Sequence, residues 1–238
     1  MTNPEFSNEF DLLYNNINSS DSPGLDEYEK SVFLTSAQEG LVTALYTGAG
    51  SYGGFELTEQ MRRSLDTLLS DAVLTLGSKT ERPVVDGSSL FNLPEDLWYI
   101  VYEAVRYDRV DDKDINCPAD TKSYPVEVVP VTYDELHRIK GNPFRGPVKR
   151  RALRVDKGYD SKKELRQVEL ISAFPVSKYY VKYLRRPCPI ILEELTGDDS
   201  INNMQRFSEC ELHESLHRII LESAVRAAKA AYVGAASS

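Results

Sequence analysis

The chain has 238 residues, 41% of them hydrophobic and 27% charged, a composition that indicates an ordinary globular protein of one large or two small domains. It contains no apolar run of the ~18–20 residues that a membrane span needs, and its start, Met-Thr-Asn-Pro-Glu-Phe, lacks the basic and apolar parts of a signal peptide. The formal net charge of −9 argues against a chain that grips nucleic acid over its whole surface, because phosphate binding needs a basic face.

The three cysteines, Cys117, Cys188 and Cys210, are widely spaced and form no Cys-x-x-Cys pair. An odd, dispersed set of this kind predicts a reduced protein with neither a disulfide framework nor a cysteine metal site.

The acidic net charge is compatible with a wall that DNA passes without adhering, and also with an ordinary acidic surface. We expect no membrane partner.

Two helices are predicted in the first part of the chain. The first is a short amphipathic helix over residues 7–17. The second covers residues 26–46, begins at the capping pair Asp26 and Glu29, and ends at Gly48. The face expected to be buried consists of Phe10, Leu13 and Ile17 in the first helix, and of Phe33, Ala37, Leu41, Ala44 and Leu45 in the second.

A glycine-rich stretch and a third predicted helix follow. Residues 47–54 lack the Gly-Lys-Ser/Thr ending of a phosphate loop, so they predict a flexible connector. Thr58 is placed to cap the third helix. The apolar stripe of that helix would consist of Met61, Leu65, Leu68, Leu69 and Ala72.

After Gly77 the sequence becomes strand-like. Residues 98–107 are dense in aromatic and β-branched side chains, and residues 126–131 form a strand pattern interrupted by Pro130. Thr132 and Glu135 make a capping box for one short helix over residues 133–140. Further strands are predicted over residues 152–155, 165–172, 178–184 and 189–192. Short strands at this spacing favour an antiparallel sheet or small barrel over βαβ units.

The last predicted helix covers residues 211–232. Its expected face consists of Leu212, Leu216, Ile219, Ile220, Ser223, Ala227 and Ala230. The predicted fold class is therefore α+β, a helical bundle from the N- and C-terminal helices with an inserted antiparallel β domain. We place the bundle at residues 1–78 and 205–238, and the mainly β domain at 79–204.

One motif has the form of a catalytic site. His213-Glu214-Ser215-Leu216-His217 matches the His-Glu-x-x-His pattern of zinc peptidases and lies on a predicted helix. A catalytic zinc needs a third protein ligand, and the 21 residues after His217 contain no histidine and one carboxylate, Glu222, which would point away on the same helix. Structural or surface histidines are therefore favoured, and a zinc hydrolase remains the alternative.

Other signs of chemistry are weak. The chain lacks a Gly-x-Ser-x-Gly elbow, and acidic clusters such as Asp198-Asp199 lack the pattern of a calcium loop and indicate solvated loops. We expect no catalytic, cofactor or metal residues, and no enzymatic activity.

A basic loop is predicted over residues 142–151, with the sequence NPFRGPVKRR. The candidate contact residues are Arg145, Lys149, Arg150 and Arg151. Three interpretations are open: a solvated loop, a contact with an acidic neighbouring subunit or ring, and a nucleic-acid site. The nucleic-acid interpretation needs aromatic residues between the charges for base stacking, and the loop offers Phe144 alone.

Three blocks of the sequence carry a resemblance to a known family. They are residues 24–35 (GLDEYEKSVFLT), residues 129–147 from Val-Pro-Val-Thr to Asn-Pro-Phe-Arg-Gly-Pro, and residues 210–234 with Cys-Glu-Leu, His-Arg and Ala-Lys-Ala-Ala-Tyr-Val-Gly. Leu93-Pro94-Glu95-Asp96-Leu97-Trp98 fits the same pattern. Together they span nearly the whole chain in order, and they resemble the tail ring, or head-to-tail connector, proteins of crAss-like phages.

The resemblance implies a structural virion protein, assembled in the host cytoplasm, that forms a homo-oligomeric ring of about twelve subunits below the portal. Its partners would be the portal protein and adjacent tail ring proteins, and DNA would pass through the channel without specific binding. A first ring, similar to ring protein 1, is our expectation. His213 and His217 fall inside the third block, which supports a structural role for them.

Overall fold

The computed structural model describes residues 1–15, 24–48, 63–76, 85, 87–107, 125–160 and 165–236. Its contacts divide the chain into two compact units, a helical unit of Met1–Leu68 with Arg186–Ser238, and a β unit of Leu69–Arg185. These bounds differ from the predicted boundaries at 78/79 and 204/205. Since the helices of one unit and the sheet of the other are segregated along the chain, the fold class is α+β.

The elements follow one another in a simple order. They are α1 (Asn3–Asn15), α2 (Glu27–Thr47), a 3-10 turn (Asp66–Leu68), β1 (Leu69–Leu74), β2 (Ser89–Asn92), β3 (Leu97–Tyr107), β4 (Val126–Pro130), α3 (Tyr133–Ile139), β5 (Arg151–Asp160), β6 (Leu165–Ile171), β7 (Val176–Arg185) and α4 (Glu214–Ala236). None of the described helices is long and apolar enough to cross a membrane.

Helix α2 has the predicted ends but a different buried face. The Glu29 amide donates to Asp26 Oδ1 at 2.7 Å, the Asp26 amide donates to Glu29 Oε2 at 3.2 Å, and Gly48 ends the helix at φ 67°, in the left-handed region that glycine tolerates. The buried residues are Lys30, Ser31, Leu34, Thr35, Gln38 and Val42. The predicted face of Phe33, Ala37, Leu41, Ala44 and Leu45 is wrong, since all five are half-buried.

Polar side chains of α2 are buried because they bind the backbone of an extended segment, residues 188–192. Ser31 Oγ accepts from the Leu192 amide at 3.0 Å, and Thr35 Oγ1 accepts from the Ile190 amide at 3.0 Å. Gln38 Nε2 donates to the Cys188 carbonyl oxygen at 2.8 Å. The i, i+4, i+7 spacing places the three side chains on one helical face, opposite alternate residues of the segment.

The other edge of this segment is also satisfied. Ile191 forms an isolated antiparallel bridge with Ser208, and Asn3 Nδ2 donates to the carbonyl oxygens of Ile191 and Ser208 at 2.8 and 3.0 Å. The predicted strand over residues 189–192 is therefore wrong. The segment is extended, but its backbone partners are mainly side chains and not a sheet.

Helix α4 contacts the two N-terminal helices through its buried face. Leu216 and Ile220 are buried as predicted, and His217, Leu221 and Ala224 join them. Within the predicted face, Ile219, Ser223, Ala227 and Ala230 are exposed. Lys229 Nζ donates to the Leu13 carbonyl of α1 at 2.6 Å, and the Tyr232 hydroxyl donates to Glu29 Oε1 of α2 at 2.9 Å.

In α1 the predicted Phe10 is buried, together with Asn3, Phe6 and Tyr14, whereas the predicted Leu13 is half-buried. The predicted Ile17 lies outside the described residues. The helix begins at Asn3, earlier than the predicted residue 7.

The sheet of the β unit is mixed. Its strand order is β1-β7-β3-β4-β5-β6-β2, and β4 pairs with β5 in parallel while the other pairs are antiparallel. The prediction of an antiparallel sheet is wrong at that one pair, because α3 returns the chain so that β5 enters beside β4 in the same direction. The predicted capping box of α3 is confirmed, with the Glu135 amide 3.3 Å from Thr132 Oγ1.

The third predicted helix is also wrong at its end. The chain passes through the 3-10 turn and enters β1 at Leu69, so Leu69 and Ala72 belong to a strand paired with β7. Thr58, Met61 and most of the connector predicted over residues 47–54 lie outside the described residues. A short apolar run fits both the helical and the strand period, and pairing with β7 selects the strand here.

The β unit buries a core on each side of its central strands. On β5, Ala152 packs in one core with Val128 and Tyr179, while Leu153 packs in the other with Leu136 of α3. This alternation is the two-residue period of a strand buried on both faces. Within the first core region, the Tyr179 hydroxyl donates to the buried Glu103 carboxylate at 2.6 Å, and Arg154 Nε lies 3.3 Å from the same carboxylate.

The contact between α2 and residues 188–192 predicts a clear loss of stability in Thr35→Val. The isosteric change removes the acceptor of the buried Ile190 amide, and an unsatisfied buried polar group costs about 1–3 kcal/mol. Urea unfolding followed by far-ultraviolet circular dichroism measures the free energy of unfolding. Thr47→Val, at an exposed position of the same helix, is the control and is expected to change it by less than about 0.5 kcal/mol. Equal effects of the two variants would contradict the role of Thr35.

Candidate functional site

The His-Glu-x-x-His motif lies at the start of α4, but its two histidines have different roles. His213 precedes the helix and is exposed, and its Nδ1 accepts from the Ser215 amide at 3.3 Å. His217 is buried, and its ring packs on Phe6 with 5.3 Å between centroids. The first histidine therefore helps to cap the helix, and the second belongs to the core.

Both ring nitrogens of His217 are engaged. Nε2 lies 2.9 Å from the Leu212 carbonyl oxygen, which accepts a hydrogen bond, so Nε2 carries the proton. Nδ1 is then the acceptor that faces the Met1 amino group at 2.8 Å. Burial lowers the pKa of the His217 imidazole from its usual value near 6.5. A neutral imidazole with both nitrogens bonded offers no lone pair to zinc, and the described part of the chain has no cluster of three metal-binding side chains.

The basic loop between α3 and β5 is a compact series of turns. The Phe144 amide donates to Asn142 Oδ1 at 2.9 Å, and the Gly146 amide donates to the Asn142 carbonyl at 2.7 Å. A Cβ at Gly146 would lie 2.7 Å from that carbonyl oxygen, so only glycine fits there. The Val148–Arg151 bridge closes the loop. These bonds hold the loop in one shape.

The candidate contact residues of this loop do not behave alike. Arg145, Lys149 and Arg150 are exposed. Arg151 is half-buried, and its Nη1 donates to the Phe144 carbonyl at 2.7 Å, so it supports the loop from within. Arg186 belongs to the helical unit, where it pairs with Glu39 at 2.9 Å.

The exposure of Phe144 is the feature of the loop that was not predicted from the sequence. Its side chain is 85% exposed, the highest value among the large hydrophobic residues that the structure describes as exposed. A rigid loop that holds an aromatic ring in water, with three cations beside it, has the composition of an interface anchor. The sequence Asn-Pro-Phe-Arg-Gly-Pro indicates this feature, because its turn residues fix the backbone on either side of Phe144.

The helical unit contains a second built surface, an acidic hairpin over residues 193–207. The Leu195 amide donates to the Gln205 carbonyl at 2.9 Å, and Ile201 and Met204 bridge across a turn in which Asn202 and Asn203 have φ of 51° and 64°. Two left-handed central residues are typical of a tight hairpin turn, and asparagine tolerates them. The exposed carboxylates of this hairpin are Glu193, Glu194, Asp198 and Asp199.

A cleft of about 490 Å³ opens on this hairpin. It is lined by Ser200, Asn203, Met204, Gln205 and Arg206. Gln205 Nε2 donates to the carbonyl oxygens of Gly197 and Asp199, both at 3.1 Å, which fixes the acidic side of the hairpin against the cleft. Asp198 and Asp199 are exposed, as expected of a solvated loop, but no local sequence pattern predicts the cleft beside them.

The burial of His217 predicts a pH dependence of stability. Its pKa is lowered by folding, so the unfolded chain takes up a proton near pH 6.5 that the folded chain binds only at lower pH. The contribution of neutral His217 to the free energy of unfolding is therefore complete above about pH 6.5 and is lost as the pH falls below that value. His217→Gln should flatten the decline between about pH 7 and 5, as measured by urea unfolding.

His137→Gln is the control for that experiment, because His137 is exposed on α3. It should keep the wild-type slope. If wild type and His217→Gln declined in parallel, the role given to His217 would be wrong.

Comparison with known proteins gives the family of this chain. A family model described as phage tail ring protein 3/4 matches residues 1–238. Ring protein 3 of Bacteroides phage crAss001 is 41% identical over 230 residues, which cover 96% of this chain and 95% of that protein. Ring protein 4/5 of the same phage is 38% identical over 242 residues, covering 97% and 93%.

These matches confirm the resemblance inferred from the sequence blocks. They differ from our expectation on one point, since the matching model and both relatives are rings 3 and 4/5, whereas we expected similarity to ring protein 1. The chain belongs to the phage tail ring protein 3/4 family.

Proposed function

We propose that this chain is a structural, non-enzymatic virion protein that forms a homo-oligomeric ring in the portal–tail connection of a phage. The observation that carries the proposal is similarity over the full chain to two ring proteins of one phage. The ring would lie below the portal, stack on adjacent ring proteins, and continue the channel through which DNA is ejected. A ring of twelve subunits, assembled in the host cytoplasm, completes the proposal.

The physical properties of the chain support this role. A ring is closed by two different surfaces of each subunit, and the chain offers a helical unit and a β unit that carry different charges at their exposed loops. A net charge of −9 suits a channel wall that repels phosphate, so DNA would pass without specific binding. The engaged nitrogens of His217 argue against the alternative, a zinc hydrolase.

The proposal predicts a large discrete ring without bound zinc. Native mass spectrometry of the purified chain, alone and mixed with an adjacent ring protein or portal of its phage, should show a ring in at least one sample. Metal analysis of the same protein should find less than one zinc per ten chains. A zinc-loaded monomer that ignores both partners would contradict the proposal and favour the hydrolase.

We further propose that Arg145, Lys149 and Arg150 contact acidic surface on a neighbouring subunit or ring, with Arg151 supporting the loop. Lys149→Glu with Arg150→Glu should then weaken assembly at least about tenfold, because like charges placed opposite one another at an interface cost several kcal/mol. Sedimentation velocity over a concentration series measures the dissociation constant.

The matched control is Arg166→Glu with Arg226→Glu, which changes the net charge equally at exposed positions of β6 and α4. The control should retain wild-type assembly at the same salt concentration. If both double variants weaken assembly equally, the effect is one of net charge, and the loop is not the contact.

A further inference from the structure

We propose that the loop carrying Phe144 docks into the acidic hairpin cleft of a second copy of this chain. This inference rests on the proposed ring and names the two surfaces that would join its subunits. The β unit of one copy supplies the loop, and the helical unit of the next copy supplies the cleft. The contact is therefore head to tail, between two different surfaces.

The loop is built to insert. Phe144 is 85% exposed, its amide donates to Asn142 Oδ1, and Arg151 Nη1 donates to its carbonyl oxygen, which fixes the backbone that carries the ring. Because the loop is already ordered, docking would lose little conformational entropy there. An exposed aromatic on a rigid support is the side chain that most often dominates the binding energy of an interface.

The cleft is built to receive an aromatic ring. Its volume is about 490 Å³, which leaves room for a phenyl ring, and the cleft is open to solvent. Met204 supplies an apolar, polarisable wall, and thioethers contact aromatic edges favourably. The tight turn at Asn202 and Asn203 and the bonds of Gln205 keep the cleft open in one shape.

Charge complementarity identifies a second copy as the occupant. Arg145, Lys149 and Arg150 lie beside Phe144, and four exposed carboxylates lie within residues 193–199, next to the cleft. Arg206 also lines the cleft and opposes the cations of the loop, but the hairpin remains net acidic. Since this chain carries both the basic loop and the acidic hairpin, a second copy supplies the complementary surface.

A head-to-tail contact of this kind is also compatible with a closed ring. A contact between two different surfaces leaves one loop and one cleft free in every partial assembly, so each added copy repeats the same contact. Whether the assembly closes depends on the rotation between successive copies. In a closed ring, no loop or cleft remains free. A two-fold dimer does not arise from one such contact.

A reciprocal charge exchange tests the inference. Lys149→Glu with Arg150→Glu, and separately Asp198→Lys with Asp199→Lys, should each weaken self-association at least tenfold in sedimentation velocity. The quadruple variant, which restores opposite charges with their positions exchanged, should recover association to within threefold of wild type. Recovery requires that the two sites meet, because each pair alone is harmful.

Cross-linking gives a measurement that does not depend on rescue. In a background with the three native cysteines replaced by serine, a mixture of Pro143→Cys and Ser200→Cys chains, which keeps Phe144, should form a cross-linked dimer with a short bismaleimide. Pro143→Cys mixed with Leu12→Cys, an exposed position on α1, is the control and should not. Rings that form but cross-link no more than the control would overturn this inference and leave the ring function standing. A chain that forms no ring, alone or with its partners, would overturn both.

Discussion

The helical unit depends on one interaction, the binding of an extended backbone segment by the side chains of a helix. Ile190 is completely buried, and the segment around it belongs to none of the strands of the described sheet. Buried backbone groups left without partners would cost free energy. From α2, Ser31, Thr35 and Gln38 bind the backbone of Leu192, Ile190 and Cys188. Because these three residues must face the segment, the rotation of α2 about its axis is fixed.

That rotation has consequences for the surface. Phe33, Ala37 and Leu41 are therefore only half-buried, although their apolar spacing predicted that they would form the buried face of the helix. In the same unit, Glu39 holds both Arg186 and Asn202, which ties the start of the returning chain to the turn of the acidic hairpin. Glu39 of α2 therefore connects the helix both to the chain just before the clamped segment and to the turn of the hairpin beside the cleft.

Much of this fold can be predicted from the sequence, wherever a local signal decides the outcome. The capping boxes at Asp26 and Thr132 define two helix starts because their hydrogen bonds lie within four residues. Pairing with distant segments is less visible. The burial of Thr35 depends on Ile190, which lies 155 residues away, and the parallel entry of β5 beside β4 depends on where α3 packs. The proposed contact surfaces follow the same division, since the charges of the basic loop can be read directly from the sequence, while the exposure of Phe144 and the cleft require the fold.

The division of the helical unit between two stretches of the chain has a consequence for biosynthesis. The β unit is continuous, so all of its strands are synthesised before the segment that α2 clamps. Until residues 188–192 emerge, Ser31, Thr35 and Gln38 lack their backbone partners, and α1 and α2 lack their contacts with α4. The basic loop is likewise synthesised before the acidic hairpin. A nascent chain can offer one half of the proposed contact but not the other until the hairpin has been made, which delays self-association.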